Sequence, residues 1–317
     1  MNAMKFITYE ALRRPEVLRW HERIIERYTP PRGIELAIIL PCSARKPYSK
    51  SRSHRIFREY IRRGADKKLC LIHEIILTSP LGLVPRELEA SYPANCYDIP
   101  VTGEWSEVER KACSRLLEDY LSKAKVNAIA HVDGALREIC EEHDIILTKK
   151  NIMSKASLKD LEEKIREALK GIKIKADCQK RKIEAVRKIC DFQFGMHASE
   201  FLLPENVIIR GRQIFYNNTQ VAALNKHGYL SLTLEGGELL KNFGKYLVEI
   251  SFFPETNSIF CVGVTSADED IRPNDEVIVL YNDKVVGVGR ALLSGEEMVK
   301  ARKGLAIALR HRRKCVQ

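Results

Sequence analysis

The sequence predicts an α/β protein in which a parallel, doubly wound sheet domain precedes a small α+β domain and a carboxyl-terminal β-barrel. Two patterns lead to this prediction. Up to Thr148, short apolar runs alternate with segments of helical periodicity, which is typical of βαβ units. After Phe192, short strand-like pieces are separated by Asn, Gly and Pro. From Tyr246 onwards, the spacing of strands and turns is typical of a compact barrel.

The first domain is predicted to begin with a helix and to continue with four strands. Before Gly33, the residues Val17, Trp20 and Ile24 fall on one helical face. The predicted strands are residues 34–40, 71–78, 126–132 and 144–148, and the helices between them are 53–63, 105–120 and 135–143. Because helical crossovers separate successive strands, the sheet should be mainly parallel.

The middle of the chain is rich in basic residues. Lysines and arginines are dense around a helix that Ser157 could cap and Gly171 could end. We predict a basic helical linker, which either contacts RNA or is an ordinary solvated helix. The expected domains are therefore the catalytic sheet domain at 1–150, the linker at 151–190, the small α+β domain at 191–245 and the barrel at 246–317.

Length and charge indicate several domains and an anionic partner. A chain of 317 residues is longer than the roughly 250 residues at which single cores stop growing. Its net charge of +11 favours a nucleic-acid partner, although a lysine-rich surface can also be simply solvated. No apolar stretch approaches the roughly 18–20 residues of a membrane span, and the amino terminus has no signal-peptide core. We therefore expect a cytoplasmic protein without a membrane partner.

The nine cysteines do not form a recognisable framework. Their number is odd, they are scattered and no C-x-x-C pair occurs, so neither a disulfide framework nor a zinc site is expected. The C-x-x-x-C-x-x-C spacing of radical-generating iron–sulfur enzymes and the G-x-x-x-x-G-K-[ST] phosphate loop are also absent from the sequence. We therefore predict no metal and no cofactor.

The loop after the first predicted strand has the composition of a functional site. It places Cys42 at the end of the strand, where ligands bind in open α/β sheets. Lys46, Arg45 and the start of a helix should lower the pKa of this thiol and make Cys42 a nucleophile. The alternatives are that Cys42 is a small buried hydrophobe and that His54 is an ordinary helix-start residue. The density of polar side chains in the loop favours a site.

The same loop carries the pattern P-C-x-x-x-K-P-Y-x-x-S-x-x-H, which resembles the signature of archaeosine synthases. Its fixed positions are matched by Pro41, Cys42, Lys46, Pro47, Tyr48, Ser51 and His54. The resemblance continues through residues 78–88 and 97–105, in loops that would face the same crevice. Longer archaeosine synthases begin with a zinc-bearing, transglycosylase-like barrel that has no counterpart here. The resemblance therefore implies that a separate transglycosylase-like chain supplies this barrel.

The carboxyl-terminal part resembles RNA-binding modules. Residues 263–277, 286–291 and 304–306 are similar to PUA domains of RNA-modifying enzymes. Residues 192–195 resemble the small domain that precedes the PUA domain in archaeal tRNA-guanine transglycosylases. The resemblance implies that the predicted barrel is a PUA domain that binds structured RNA. The residues expected to contact RNA are Gly263, Arg272, Lys300, Arg302, Lys303, Arg310, Arg312 and Arg313.

The resemblance to archaeosine synthases implies a transferase that acts on tRNA. Free L-lysine would be transferred to the nitrile of 7-cyano-7-deazaguanosine at position 15 of the D-loop, giving the lysyl adduct that precedes archaeosine. A nitrile carbon is already activated, so the addition of an amine requires neither ATP nor a radical. A separate radical SAM enzyme would cleave the adduct afterwards. The chain is also expected to form a homodimer.

Two chemical routes remain open. In the first, Cys42 attacks the nitrile carbon to form a thioimidate, which the lysine amine displaces while His54 or Asp98 manages protons. In the second, the amine attacks directly, and Lys46 with backbone N–H groups stabilises the developing negative nitrogen. The predicted catalytic residues are thus Cys42, Lys46, His54 and Asp98. The predicted substrate-binding residues are Pro41, Ser43, Tyr48, Ser51, Ser79, Pro80, His131 and Asp133.

Two other classes of function also remain open. A non-catalytic subunit would only present tRNA to a transglycosylase partner, and it would support no lysine incorporation. A base-excising or base-exchanging enzyme would release free base from tRNA. The second class is considered because a loop at a strand end of a parallel sheet also suits nucleobase glycosylases.

Overall fold

A computed structural model describes residues 4–5, 8–98, 105–173 and 177–314 of the chain. The chain divides into two units, Met1–Phe192 and Gln193–Gln317. The four domains expected from the sequence form a finer division, which stays a prediction. Among the described residues, no helix is both long enough and apolar enough to cross a membrane.

The first unit combines helices with mostly short strands. Its helices are α1 (Thr8–Ala11), α2 (Pro15–Arg27), α3 (Arg52–Ala65), α4 (Glu107–Ala124), α5 (Ala135–Glu142), α6 (Lys155–Ala168) and α7 (Cys178–Phe194). Its strands are β1 (Met4–Lys5), β2 (Leu36–Pro41), β3 (Ile72–Thr78), β4 (Gly82–Pro85), β5 (Tyr97–Asp98), β6 (Asn127–Ala130) and β7 (Ile146–Leu147). Short 3₁₀ helices lie at Tyr48–Lys50, Asp66–Leu71 and Arg86–Leu88.

A five-stranded sheet in the order β4-β3-β2-β6-β7 forms the framework of this unit. Strand β2 pairs in parallel with both β3 and β6, and β6 pairs in parallel with β7. Strand β4 is antiparallel to β3, because a short turn connects the two strands directly. The mixed α/β fold with a mainly parallel sheet is therefore confirmed, and the antiparallel edge strand is an addition that the apolar pattern did not predict.

The central strand β2 is buried because its residues are apolar on both faces of the sheet. Leu36, Ile38 and Leu40 share one hydrophobic cluster with Phe57 of α3 and Ile165 of α6. Burial of each such side chain contributes roughly 1.5–3 kcal/mol. Helix α6 is thus packed into the core of the first unit, although its lysines made the sequence predict a linker.

The cap of α6 differs from the sequence prediction. The N-cap is Ser154, whose hydroxyl accepts a hydrogen bond from the N–H of Ser157 at 3.2 Å. Ser157 is buried, and its own hydroxyl donates to the carbonyl oxygen of Lys149 at 2.6 Å. The prediction that Ser157 caps the helix is therefore wrong. Both serines suit a cap, and only the packing of the preceding loop selects between them.

One pair of cysteines corrects the expectation that the chain contains no disulfide. Cys70 lies in the 3₁₀ helix before β3 and is bonded to Cys178, the first residue of α7. Their Cα atoms are 5.2 Å apart, although 108 residues separate them in the sequence. No local spacing pattern reveals such a pair, because the fold brings together two distant segments.

The second unit contains two sheets. Its strands are β8 (Ile208–Arg210), β9 (Gln213–Tyr216), β10 (Thr219–Leu224), β11 (Leu230–Leu232), β12 (Leu247–Ile250), β13 (Ser258–Phe260), β14 (Val264–Ala267), β15 (Glu276–Tyr281), β16 (Lys284–Ala291) and β17 (Leu305–Arg312). Its helices are α8 (Ala198–Leu202), α9 (Leu234–Lys241) and α10 (Gly295–Lys300). The smaller sheet has the order β11-β10-β9-β8, and the larger has the order β13-β17-β16-β15-β12-β14. The short strands expected after residue 206 are therefore confirmed.

Candidate functional site

Three polar segments meet at the carboxyl edge of the parallel strands. Cys42 follows β2, Ser79 follows β3 and His131 follows β6, and these three strands are neighbours. The backbone N–H of Cys42 donates to Leu77 at 3.1 Å, and that of His131 donates to Ile39 at 2.8 Å, so the ladder extends past the strand ends. This edge is where ligands bind in open α/β sheets.

The thiol of Cys42 sits next to a hydroxyl group and a cation. Burial raises its pKa, while a hydrogen bond with the Thr78 side chain and the charge of Lys46 act in the opposite direction. The prediction of a lowered pKa is therefore wrong. Burial of the thiol raises the pKa more than the nearby ammonium group lowers it. In addition, α3 begins only at Arg52, so its amino terminus is not adjacent to Cys42 in the chain.

Two tyrosines form the buried wall beside Cys42. The hydroxyl oxygens of Tyr48 and Tyr97 are 2.6 Å apart, and Tyr97 also shares a short hydrogen bond with the Thr78 hydroxyl. The ammonium group of Lys46 lies 4.0 Å from the centre of the Tyr97 ring, a cation–π contact. The structure thus brings together Cys42, Lys46 and Tyr48. It adds Thr78 and Tyr97, whose only sequence signal was the resemblance in residues 78–88 and 97–105.

His54 is buried, and both nitrogens of its ring are engaged. Its Nδ1 lies 2.9 Å from the Nη2 of Arg86, and its Nε2 lies 2.9 Å from the carbonyl oxygen of Pro41. A guanidinium can only donate and a carbonyl can only accept, so Nδ1 accepts and Nε2–H donates. Burial, together with the charge of Arg86, lowers the pKa of His54 to about 3. The imidazole is therefore neutral, both nitrogens are bonded to protein groups, and a catalytic role of His54 stays a prediction.

His131 and Asp133 use their polar atoms to hold the loop before α6. The Nδ1 of His131 pairs with the Thr148 hydroxyl at 2.8 Å, and its Nε2 donates to the carbonyl of Ile152 at 3.0 Å. Burial lowers the pKa of His131 to about 4. The carboxylate of Asp133 accepts the N–H groups of Asn151 at 3.2 Å and Ile152 at 2.9 Å. Substrate binding by these two residues stays a prediction.

The predicted residues after β3 are tied to neighbouring helices. The hydroxyl of Ser79 donates to the carboxylate of Glu109 in α4. The carbonyl of Pro80 accepts a hydrogen bond from Nε2 of His21 in α2 at 2.8 Å. These contacts fix the turn between β3 and β4, and substrate binding by Ser79 and Pro80 stays a prediction.

The remaining predicted residues of the site have different surroundings. Ser51 is the N-cap of α3, because its hydroxyl accepts the N–H of His54 at 3.2 Å. The hydroxyl of Ser43 donates to the carbonyl of Arg45 at 3.0 Å. The main chain of Asp98 pairs with Lys5 in a short parallel ladder, whereas its side chain lies outside the described residues.

The predicted RNA-binding residues lie on the second unit. They fall into a first group with described packing, hydrogen-bond or ion-pair contacts and a second group without such contacts. Gly263 is buried, and an added Cβ would clash with the ring of Phe252, so a glycine is needed there for packing. Arg310 reaches the buried carboxylate of Glu276, with Nη2 to Oε2 at 3.0 Å. The other residues of this group are held by carboxylates or carbonyls: Arg272, Lys300, Arg312 and Arg313. The second group is Arg302 and Lys303, which are exposed.

Family models match three parts of the chain. A domain of unknown function (DUF5591) matches residues 17–165. The patch-forming domain C2 of tRNA-guanine transglycosylase matches residues 184–246, and the PUA domain matches residues 251–312. The expected PUA domain and the small domain before it are therefore confirmed.

Two curated relatives share the name archaeosine synthase subunit alpha. The one from Thermococcus kodakarensis is 43% identical, over 97% of this chain and 56% of its own length. The one from Methanosarcina acetivorans is 42% identical, over 97% of this chain and 51% of its own length. The chain thus spans about half the length of the curated relatives it matches.

A solved structure has the same fold over most of the chain. The crystal structure of AF0587, a protein of unknown function, is 29% identical and superimposes with a TM-score of 0.70. The match covers 93% of this chain and 100% of AF0587.

Proposed function

This chain is homologous to archaeosine synthases over nearly its whole length, and from this premise we propose that it transfers lysine to a nitrile-bearing base in tRNA. The proposed substrates are free L-lysine and tRNA that carries 7-cyano-7-deazaguanosine at position 15. The observation that carries the proposal is the cluster at the carboxyl edge of the sheet, where Lys46 and Thr78 flank the Cys42 thiol.

The proposed chemistry begins with addition of the thiol to the nitrile. The sulfur of Cys42 bonds to the nitrile carbon, and the thiol proton passes to the nitrile nitrogen, giving a neutral thioimidate. Because burial raises the pKa of Cys42, the resting sulfur keeps its proton, so this proton must leave as the C–S bond forms, and the nitrile nitrogen is its acceptor. The neighbouring ammonium of Lys46 would stabilise negative charge as it develops on the nitrogen.

In the second step, the lysine amine attacks the thioimidate carbon. A C–N bond forms, the C–S bond breaks, and the sulfur leaves with the electron pair and recovers a proton from the amine nitrogen. The sum is the addition of an amine N–H across a nitrile, which gives an amidine. The balance needs no oxidant, no reductant and no ATP. Direct attack by the amine without a thioimidate would give the same product.

The second unit is proposed to hold the tRNA. A base in the tRNA core must be exposed before an active site can enclose it, at a cost of a few kcal/mol. Contacts to phosphates away from the reacting base can offset this cost. The exposed side chains of Arg302 and Lys303 suit such contacts, whereas Arg310 already pairs with Glu276. We assign phosphate binding to the first two and a structural role to Arg310.

Other partners follow from the same proposal. A transglycosylase-like chain is a proposed partner, because residues 184–246 match the patch-forming domain C2 of tRNA-guanine transglycosylase. A radical SAM enzyme would cleave the lysyl adduct, and the chain would act as a homodimer in the cytoplasm, where tRNA is modified. Size-exclusion chromatography with light scattering tests the homodimer directly.

The decisive experiment uses the purified chain, labelled lysine and tRNA that bears the nitrile base, with and without the transglycosylase-like chain. The label should appear in the tRNA, and digestion should yield a nucleoside heavier by one lysine. Absence of label under both conditions would contradict the proposal and favour a subunit that only presents tRNA, a class suggested by the transglycosylase C2 match. Release of free base would instead indicate base exchange.

A further inference from the structure

Arg86 lies in a buried ion cluster next to the loop that carries Cys42. It follows β4, and its side chain is 13% exposed. Its guanidinium donates from Nε and Nη2 to Glu74 at 2.9 and 2.6 Å, and from Nη1 to Glu89 at 2.8 Å. A further bond runs from Nη2 to the Nδ1 of His54 at 2.9 Å. One planar group therefore binds two carboxylates and one imidazole.

These contacts reach the loop between β2 and α3 at three places. His54, in the first turn of α3, donates to the carbonyl of Pro41, the last residue of β2. Glu89 accepts the backbone N–H of Ser49 at 2.9 Å, in the middle of the loop. Arg86 binds both His54 and Glu89, so a single side chain connects all three anchor points. The Pro41 carbonyl belongs to the peptide that leads into Cys42.

Arg86 also determines which nitrogen of His54 carries the proton. Its Nη2–H points at Nδ1, so Nδ1 must offer a lone pair and Nε2 must carry the hydrogen. Protonation of Nδ1 would remove this bond and set two cations side by side in a buried place. The guanidinium and the Pro41 carbonyl therefore select the same tautomer of His54, although Arg86 touches neither Pro41 nor the thiol in any described contact.

We propose that Arg86 is a positioning residue for Cys42, which acts by holding His54 in the tautomer that donates to Pro41. The proposal rests on the proposed function, since it takes Cys42 as the reacting group. His54 then transfers no proton during the reaction. Its role is to fix the backbone from which the thiol reaches the substrate.

The first test compares Arg86→Lys with Arg58→Lys. Arg58 is the matched control, because it donates to the same carboxylate of Glu74 at 3.2 Å and is more exposed, with no described contact to His54. Lysine keeps the charge but lacks the planar fork that serves two carboxylates and an imidazole together. In Arg86→Lys, kcat for lysine transfer should fall on the order of 100-fold, with little change in KM for lysine. Arg58→Lys should behave as wild type.

The second test replaces the histidine. A glutamine amide also offers one acceptor and one donor, without a proton to transfer, so His54→Gln should keep most of the activity. His54→Leu removes both bonds and should resemble Arg86→Lys. Activity lost equally in His54→Gln and His54→Leu would overturn the positioning role, because it would indicate proton transfer. Equal kcat values for Arg86→Lys and Arg58→Lys would overturn it as well.

A spectroscopic test does not depend on turnover. The ¹⁵N chemical shifts of the His54 ring should identify an unprotonated Nδ1 in the wild type and a mixture of tautomers in Arg86→Lys. The rate at which iodoacetamide alkylates Cys42 should change in Arg86→Lys and not in Arg58→Lys. If the wild type transfers no lysine, the proposed function fails while these measurements still test Arg86. A protonated Nδ1 in the wild type would overturn the inference.

Discussion

Acidification from pH 7 to pH 5 should destabilise the first unit, because His54 and His131 stay neutral in the folded chain while the same histidines gain protons in the unfolded chain. Burial lowers the pKa of His54 to about 3 and that of His131 to about 4, from an ordinary value of roughly 6.5. Between these values the unfolded chain binds more protons than the folded chain. The stabilisation is therefore complete above about pH 6.5 and is lost as the pH falls towards the folded pKa.

The magnitude follows from the two pKa values. Between pH 7 and pH 5, each histidine should cost about 2 kcal/mol of unfolding free energy, and the pair about 4 kcal/mol. The complete loss for His54, about 5 kcal/mol, would require a pH below 3. Both rings are buried, so solvent screening does not reduce these values greatly.

Urea unfolding followed by tryptophan fluorescence measures the effect, because both tryptophans, Trp20 and Trp105, belong to the first unit. His54→Gln removes the titrating ring and should lose about 2 kcal/mol less than the wild type between pH 7 and pH 5. His131→Gln should show a similar change. Equal losses in the wild type and in His54→Gln would refute the argument that the native imidazole is held neutral.

Three further results are expected. Replacing Cys70 or Cys178 with serine should lower the unfolding free energy by about 4–5 kcal/mol, because the disulfide closes a loop of 108 residues. Urea titration measures this loss, and an unchanged urea midpoint would contradict the prediction. Cys42→Ser should reduce lysine incorporation on the order of 1,000-fold or more if the thioimidate forms, and full turnover would exclude the covalent route. Replacing Arg302 and Lys303 with alanine should weaken tRNA binding. The slope of log affinity against log salt concentration should fall by about 1 for each phosphate that is no longer neutralised. Filter binding at several salt concentrations measures this slope, and an unchanged slope would show that neither residue contacts a phosphate.

Much of the fold could be read from the sequence because burial imposes a pattern on neighbouring residues. The run Leu36–Pro41 is apolar at every position, as a strand covered on both faces must be, and Ile56, Phe57, Tyr60 and Ile61 recur with the period of a helix. Strand β4 and helix α9 were not predicted, because both are short and are stabilised by contacts with other elements of the fold. The basic helix α6 was taken for a linker because lysines and arginines are dense in and around it, although one face with Leu158, Leu161 and Ile165 packs into the core.

The candidate site was predicted in part. Cys42, Lys46 and Tyr48 could be found because they are close in the sequence and unusual in composition. Thr78 ends β3, which pairs with β2, whereas Tyr97 belongs to β5 in a separate two-stranded sheet, so only the folded chain brings these two side chains together. The pKa of Cys42 was predicted in the wrong direction, because the sequence shows the neighbouring charges and not the packing around the sulfur.

The sequence by itself indicated most of the helices and strands of the first unit and the loop that holds Cys42, Lys46 and Tyr48. These features depend on local periodicity, composition and spacing, which the chain carries in every conformation. The tertiary structure alone decided that Cys70 meets Cys178, that His54 is neutral and that Arg86 sets its tautomer. Hydrogen-bond partners, desolvation and thiol pairing depend on atoms that are distant in sequence, so they exist only once the chain has folded.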